Sequence, residues 1–195
     1  GFDYTYDKRL YDRLAAGLET GAGAAFSRSL LVDGQGESLG EDFQFREPAF
    51  RLVGARDGVI SSALMRRFLL IACVIPNLSA ALMRRDLFMK LNGLSTRFGS
   101  ASDWDFWCRA ALETDFFYVA EALNCFRTHP HTVRSTYPPA RELTEYTSLL
   151  FEARRREVLS WREAARFKAN LGEIWADSFL RRPFYWLAHT WDAVK

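Results

Sequence analysis

Residues 100–111 read SASDWDFWCRAA, and how this stretch is read decides where the chain turns into helix and what that helix carries. Ser102 followed by Asp105 has the spacing of a capping box, in which a serine oxygen and an acidic side chain satisfy amides that the first helical turn leaves unpaired. The spacing predicts a helix from Ser102 to about Leu112 and gives both residues a structural task. Asp103 is surplus. A carboxylate there gains a little from the helix dipole, but no cap or turn needs it, so Asp103 is the residue in this stretch with room for chemistry. Trp107 falls on one helical face with Ala110 and Ala111 and is expected in the core.

On the C-terminal side, FFYVAEALNCFRTH (116–129) predicts two short strands broken near Glu121 and Ala122. After Pro138-Pro139 the pattern turns helical from about Arg141 to Leu180, with Leu143, Tyr146 and Leu150, then Val158, Trp161 and Ala165, on one stripe. A boundary is placed there, giving 1–137 as one unit and 138–195 as a helical C-terminal extension. The last stretch gathers Phe184, Tyr185, Trp186 and Trp191 behind Arg181 and Arg182. Such a tail suits peripheral contact with a membrane interface, but Pro183 interrupts the pattern and packing on the domain is favoured.

On the N-terminal side, NLSAALMRR (77–85) predicts a short buried strand, then a basic turn and a brief helix ending at Asn92-Gly93. Val59 to about Leu70 is expected as helix and Glu37 to Asp57 as a long loop. AAFSRSLLV (24–32) predicts a strand closing on the turn signal DGQG (33–36). Leu10, Leu14 and Leu18 recur every four residues after Asp7, a helix N-cap, and Gly21 supplies the stop. The sum is an α/β fold: a mixed sheet flanked by helices, followed by a helical extension.

Composition narrows the function classes. The chain has 195 residues, 49% of them hydrophobic, and a formal net charge of +2. That is enough for one substantial core and too little positive charge for a nucleic-acid partner. Three cysteines at wide spacing, without a CxxC pair, suit reduced thiols and a cytoplasmic setting. The most apolar run, FLLIACVIP (68–76), is far shorter than the ~20 residues of a spanning helix. No GxSxG elbow is present, which removes support for a serine hydrolase.

The order NLSAALMRRDLFMKLNGLSTRF (77–98), SDWDFWCRAA (102–111) and FYVAEALNCFRTHPHT (117–132) resembles the C-terminal half of family 2 glycosyltransferases, which have the GT-A nucleotide-sugar-binding fold. The resemblance implies an inverting sugar transfer from a nucleotide-sugar donor to a saccharide or glycolipid acceptor, in surface polysaccharide assembly. In that family an acidic pair opens the helix facing the acceptor and its second acid is the base. Ser102 stands at the first position and Asp103 at the second. The family's R-x-H-P pattern matches Arg127, His129 and Pro130 and implies that His129 helps hold a Mg2+ or Mn2+ on the nucleotide diphosphate, with Arg127 on the donor side. Gly93 matches the glycine of the loop approaching the acceptor, Trp104 is the ring available to stack on a sugar, and Arg84 is placed to steer a phosphate.

Blander readings stand beside these. Gly93 serves equally as a helix C-cap, Arg84 as part of a solvated basic turn, and His129 as a strand-end histidine with a local hydrogen bond. A zinc site from Cys125, His129 and His131 lacks a fourth ligand and the paired spacing of zinc motifs. The family's first half, with its metal-gripping acids, has no counterpart beyond Asp3, which matches the last of those acids. The chain is therefore expected to carry the acceptor side and the base within a longer parent. The alternative is a non-catalytic module of the same fold that docks a partner or membrane through its helical tail.

Overall fold

A computed structural model of the chain describes residues 7–41, 56–127, 137–157 and 160–181. Its centre is a five-stranded mixed sheet flanked by helices on both faces. Strand β1, Ala24–Val32, is buried on both sides over its first half, as the dense apolar run AAF requires of a central strand. It pairs in parallel with β5, Phe116–Arg127, from Ala24 opposite Phe116 to Val32 opposite Arg127. Along the other edge of β1 lie β2, Ser38–Glu41, at its C-terminal end and β4, Ala81–Met83, at its N-terminal end, both antiparallel. β3, Gly58–Ile60, runs antiparallel along the outer edge of β5.

Several sequence expectations hold. β1 has the predicted span, and the DGQG turn closes it: Asp33 Oδ1 accepts from the amides of Gln35 (2.9 Å) and Glu37 (2.8 Å), an Asx turn that starts the hairpin. Helix α1, Leu10–Glu19, forms on the predicted apolar period, but its N-cap position is Arg9, without a side-chain cap bond; Asp7, the expected cap, instead accepts at Oδ1 from the Arg9 amide.

Others need correction. The span expected as a loop from Glu37 opens with β2. Val59 and Ile60 are strand and not helix, because Ile60 is buried opposite Phe116. Ser61 then caps α2, Ser62–Leu69, its Oγ accepting from the Leu64 amide. The segment from Asn77 makes a single 3-10 turn, Leu78–Ala80, before β4, and α3, Arg85–Lys90, follows. The two strands expected in 116–129 are one. The pairing of β1 with β5 slips where Arg28 faces Ala122, so the irregular sequence is a bulge that turns Glu121 towards Arg9 and Arg13.

Alternation along β1 and β5 sends side chains to two different cores. Ala25, Val119 and Leu123 pack with Leu10 and Leu14 of α1. Phe26, Phe116 and Tyr118 face a larger aromatic cluster with Phe68 of α2 and Phe106 and Trp107 of α4, Ser102–Ala110. Burying one such ring contributes about 2–3 kcal/mol. The same cluster takes in Leu149 and Leu150 of α5, Pro139–Arg155, and Phe167 of α6, Trp161–Arg181, so helices on the far side of Pro138 share the core of the sheet. Among the described residues no helix is long and apolar enough to cross a membrane.

Candidate functional site

The parallel pair gives the sheet a direction, and in open α/β sheets ligands bind beyond the C-terminal ends of parallel strands. Two contacts lay α4 against α2. Arg66, in the last turn of α2, donates to the carbonyl of Ala111 just past the C-terminus of α4, while Leu69, at the end of α2, accepts from Trp104 Nε1 at 2.9 Å. α2 starts beside β5's first residues, where the Ser62 amide meets Asp115. α4 therefore packs along α2 on the face of the sheet that holds the aromatic core, with Asp103 on its first turn.

The capping box is not formed. Ala101 occupies the N-cap, with no side-chain cap, and Ser102 is already helical. Asp105 turns along the helix to Arg109, Oδ2 to Nε 2.8 Å. Arg109 also donates to the carbonyls of Leu91 (2.6 Å) and Gly93 (2.9 Å), binding the Asn92-Gly93 turn to α4.

The cap comes from far along the chain. Glu145 of α5 is buried, and its Oε2 accepts from the amides of Gly99 (3.0 Å), Ser100 (2.9 Å) and Ala101 (3.3 Å). Its Oε1 accepts from the Tyr137 hydroxyl (2.5 Å) and Arg141 Nε (3.1 Å). Glu142 adds a second link, accepting from the Ser100 hydroxyl at 3.0 Å and the Tyr146 hydroxyl at 3.2 Å. Burial pushes the Glu145 carboxyl up, but the bonds from Tyr137, Ala101, Gly99 and Arg141 outweigh it and hold the group below the usual glutamate range. An anion at a helix N-terminus meets both unpaired amides and the positive end of the dipole; here the protein supplies that anion itself.

Asp103 sits on the first turn of this fixed helix, half-buried, with Oδ1 accepting from the Trp104 amide at 2.7 Å. Its neighbour does not have the open face expected for a stacking ring. Trp104 is 6% exposed, its indole N–H is taken by Leu69, and Tyr146 lies 5.5 Å away centre to centre. Trp107 is wholly buried, as its spacing predicts.

Gly93 has φ +68°, and Asn92 before it +58°, with the Gly93 amide bonded to the Phe88 carbonyl. That is the left-handed C-cap of α3, the blander of its two readings. Arg84 is also structural. Its Nη2 donates to the Leu18 carbonyl at 2.6 Å and its Nε to Ala22 at 3.2 Å, so the guanidinium caps the end of α1. Arg127 ends β5 at the C-terminal edge of the sheet. Its Nη1 reaches the Gly34 carbonyl at 3.5 Å, and its Nε is buried with no hydrogen-bond partner among the described residues.

Asp3, His129 and His131 lie outside the described residues, as do the aromatic residues after Arg182. Among the described residues no three histidine, cysteine, aspartate or glutamate side chains converge to hold a metal ion.

Sequence reasoning missed Glu145 and a buried polar knot at the strand ends. Asn124 Nδ2 donates to Ser29 Oγ (2.9 Å) and to Asn77 Oδ1 (3.2 Å), and Asn77 Oδ1 also accepts from Ser79 and the Ala80 amide. Glu145 had a signal: it falls on the stripe of Tyr146, Leu149 and Leu150, where a charge is out of place unless it has partners inside. No family model matches the chain, and no curated protein matches it.

Proposed function

We propose that this chain carries the acceptor side of an inverting glycosyltransferase of the GT-A kind, with Asp103 as the base. The observation that carries the reading is a carboxylate on the first turn of a helix locked from behind. Asp103 stands on the first turn of α4, while Glu145 fixes the three preceding amides. A base works only within hydrogen-bond reach of the proton it takes, and a helix whose start cannot shift keeps it there. The order of sequence motifs around Asp103 supplies the reaction class.

In the proposed step the acceptor hydroxyl oxygen attacks the anomeric carbon of the donor sugar, forming the new glycosidic bond. The bond from that carbon to the nucleoside diphosphate breaks, the diphosphate leaves with the electron pair, and Asp103 takes the hydroxyl proton. Configuration inverts because attack and departure are on opposite faces. Arg127, with its Nε unpaired among the described residues, offers a positive charge to the diphosphate. A Mg2+ or Mn2+, assigned by resemblance to His129 and Asp3, would neutralise charge on the leaving group. The acceptor is a saccharide or glycolipid, in surface polysaccharide assembly.

The test is Asp103→Asn in the full-length protein, assayed for nucleoside diphosphate release over a panel of nucleotide sugars and acceptors. Turnover should fall by about 10²–10⁴-fold while donor affinity, measured by calorimetry, stays the same. Unchanged turnover in Asp103→Asn would remove the base and the reading with it.

A further inference from the structure

Charge in this protein is segregated, and the segregation points to a second surface. The segment 151–168, where α5 ends and α6 begins, contains Arg154, Arg155, Arg156, Arg162, Arg166 and Lys168 against three acids, Glu152, Glu157 and Glu163. Those acids do not neutralise their own neighbours. Each is paired with an arginine from outside the segment: Glu152 with Arg97, Glu157 with Arg66 and Glu163 with Arg67. Counting those partners, nine cations meet three carboxylates, a local excess of +6 in a chain whose total is +2. The remainder of the molecule is net acidic. Arginines at the end of α5 complement its dipole, but that does not explain Arg162, Arg166 and Lys168 in the first turns of α6, where the dipole disfavours them.

Apolar rings stand in the same place. Trp161 is 76% exposed, with Arg162 lying over its ring at 5.2 Å, and Phe151 is half exposed. An exposed tryptophan where α6 begins, with the Arg162 guanidinium over its ring and further arginines in the same segment, matches the boundary of a bilayer: rings enter the headgroup layer while arginines pair with phosphates. Nucleic acid would satisfy the charge, but the near-neutral chain fits it poorly.

We infer that the α5–α6 hairpin end docks on a membrane surface rich in anionic lipid. The inference is independent of the sugar-transfer reading and differs in place from the aromatic tail after Arg182. The full chain is tested by co-sedimentation with vesicles of phosphatidylglycerol in phosphatidylcholine, against phosphatidylcholine alone, at low and at 0.5 M salt. Binding should require the anionic lipid and fall with salt. Arg155→Glu/Arg156→Glu/Arg162→Glu should weaken it at least tenfold, and Trp161→Ala severalfold, with melting temperatures near that of the parent. No binding to anionic vesicles at low salt overturns the inference. So does binding that survives both sets of substitutions, which would put the contact elsewhere, and so does a preference for a single-stranded RNA homopolymer over vesicles.

Discussion

The two faces of the sheet are held by opposite means. On the α1 face a small aliphatic core is closed by charges in water: Arg9 lies between Asp7 and Glu121, and Arg13 between Asp57 and Glu121, all with well-exposed side chains. On the other face, beside surface ion pairs such as Arg67 with Glu163, an aromatic core is closed by a buried carboxylate, Glu145, which accepts five hydrogen bonds. Exposed ion pairs are each worth little and are screened by salt, whereas a buried, fully bonded carboxylate costs much to disturb. The candidate base stands on the face whose fixing is buried, where geometry is kept most sharply.

Glu145 is where the comparison breaks most easily. Glu145→Ala leaves the amides of Gly99, Ser100 and Ala101 without their acceptor and should lower stability by about 3 kcal/mol in urea unfolding at neutral pH. Glu145→Gln keeps an acceptor oxygen and should lose about half as much. The carboxyl lies below the usual glutamate value of 4.5 when folded. Its contribution is therefore complete above that value and is lost as pH falls through the folded pKa. The parent should lose stability in that acid window, and Glu145→Gln should lose less of it. Equal acid profiles would show that the carboxylate is not what closes this face.

This cap also marks the limit of what the sequence discloses. β1, its turn, α1, α3 and the helix of Asp103 are legible because apolar period and turn chemistry are local signals. Ser102 and Asp105 satisfy a local rule that the fold overrides: an acid 40 or more residues away takes the amides, and Asp105 is left to Arg109. Val59 and Ile60 look helical because a short apolar run has no period of its own, and only pairing with β5 makes them strand. Trp104 and Arg84 are misread for the same reason. Type and position suggest ligand contacts, but both spend their donors on backbone carbonyls in other elements. Asp103 stands out in the sequence because the capping spacing leaves it over, and in the structure its Oδ1 accepts from the Trp104 amide.

On the α1 face the close approach of helix to sheet invites a second break. Gly17 lies over Phe117, and a Cβ there would come within 2.7 Å of the ring's Cγ and 3.0 Å of its Cβ. Alanine ordinarily strengthens a helix interior by about 0.5–1 kcal/mol over glycine, while forced overpacking costs about 1–3 kcal/mol. The clash involves the root of the side chain, which cannot swing away, so the cost should win and Gly17→Ala should destabilise by about 1 kcal/mol. Adding Phe117→Ala should reverse the sign of the Gly17→Ala effect in a double-mutant cycle. A stabilising Gly17→Ala in the parent would mean that α1 rides further from the sheet.

The smallest effect sharpens the comparison most. Arg13 donates to both Asp57 and Glu121, and Asp57 raises the guanidinium's pKa, yet the side chain is 38% exposed. Solvent screening limits the loss from Arg13→Ala to less than about 1 kcal/mol. In 1 M salt, where the screening length is about 3 Å, parent and variant should converge. Beside it, Asp7 is held down to about 2 by the hydrogen bonds from Arg9, so its contribution is present at neutral pH and fades between the ordinary aspartate value of 3.8 and about 2, again less so in high salt. Glu145→Ala should keep most of its effect in the same 1 M salt, because four of its five bonds come from backbone amides and a hydroxyl, and salt screens only the one from the exposed Arg141. A salt series on the two variants therefore separates the faces directly: one difference should vanish and the other persist, and parallel responses would mean that both faces are held by the same solvent-exposed electrostatics.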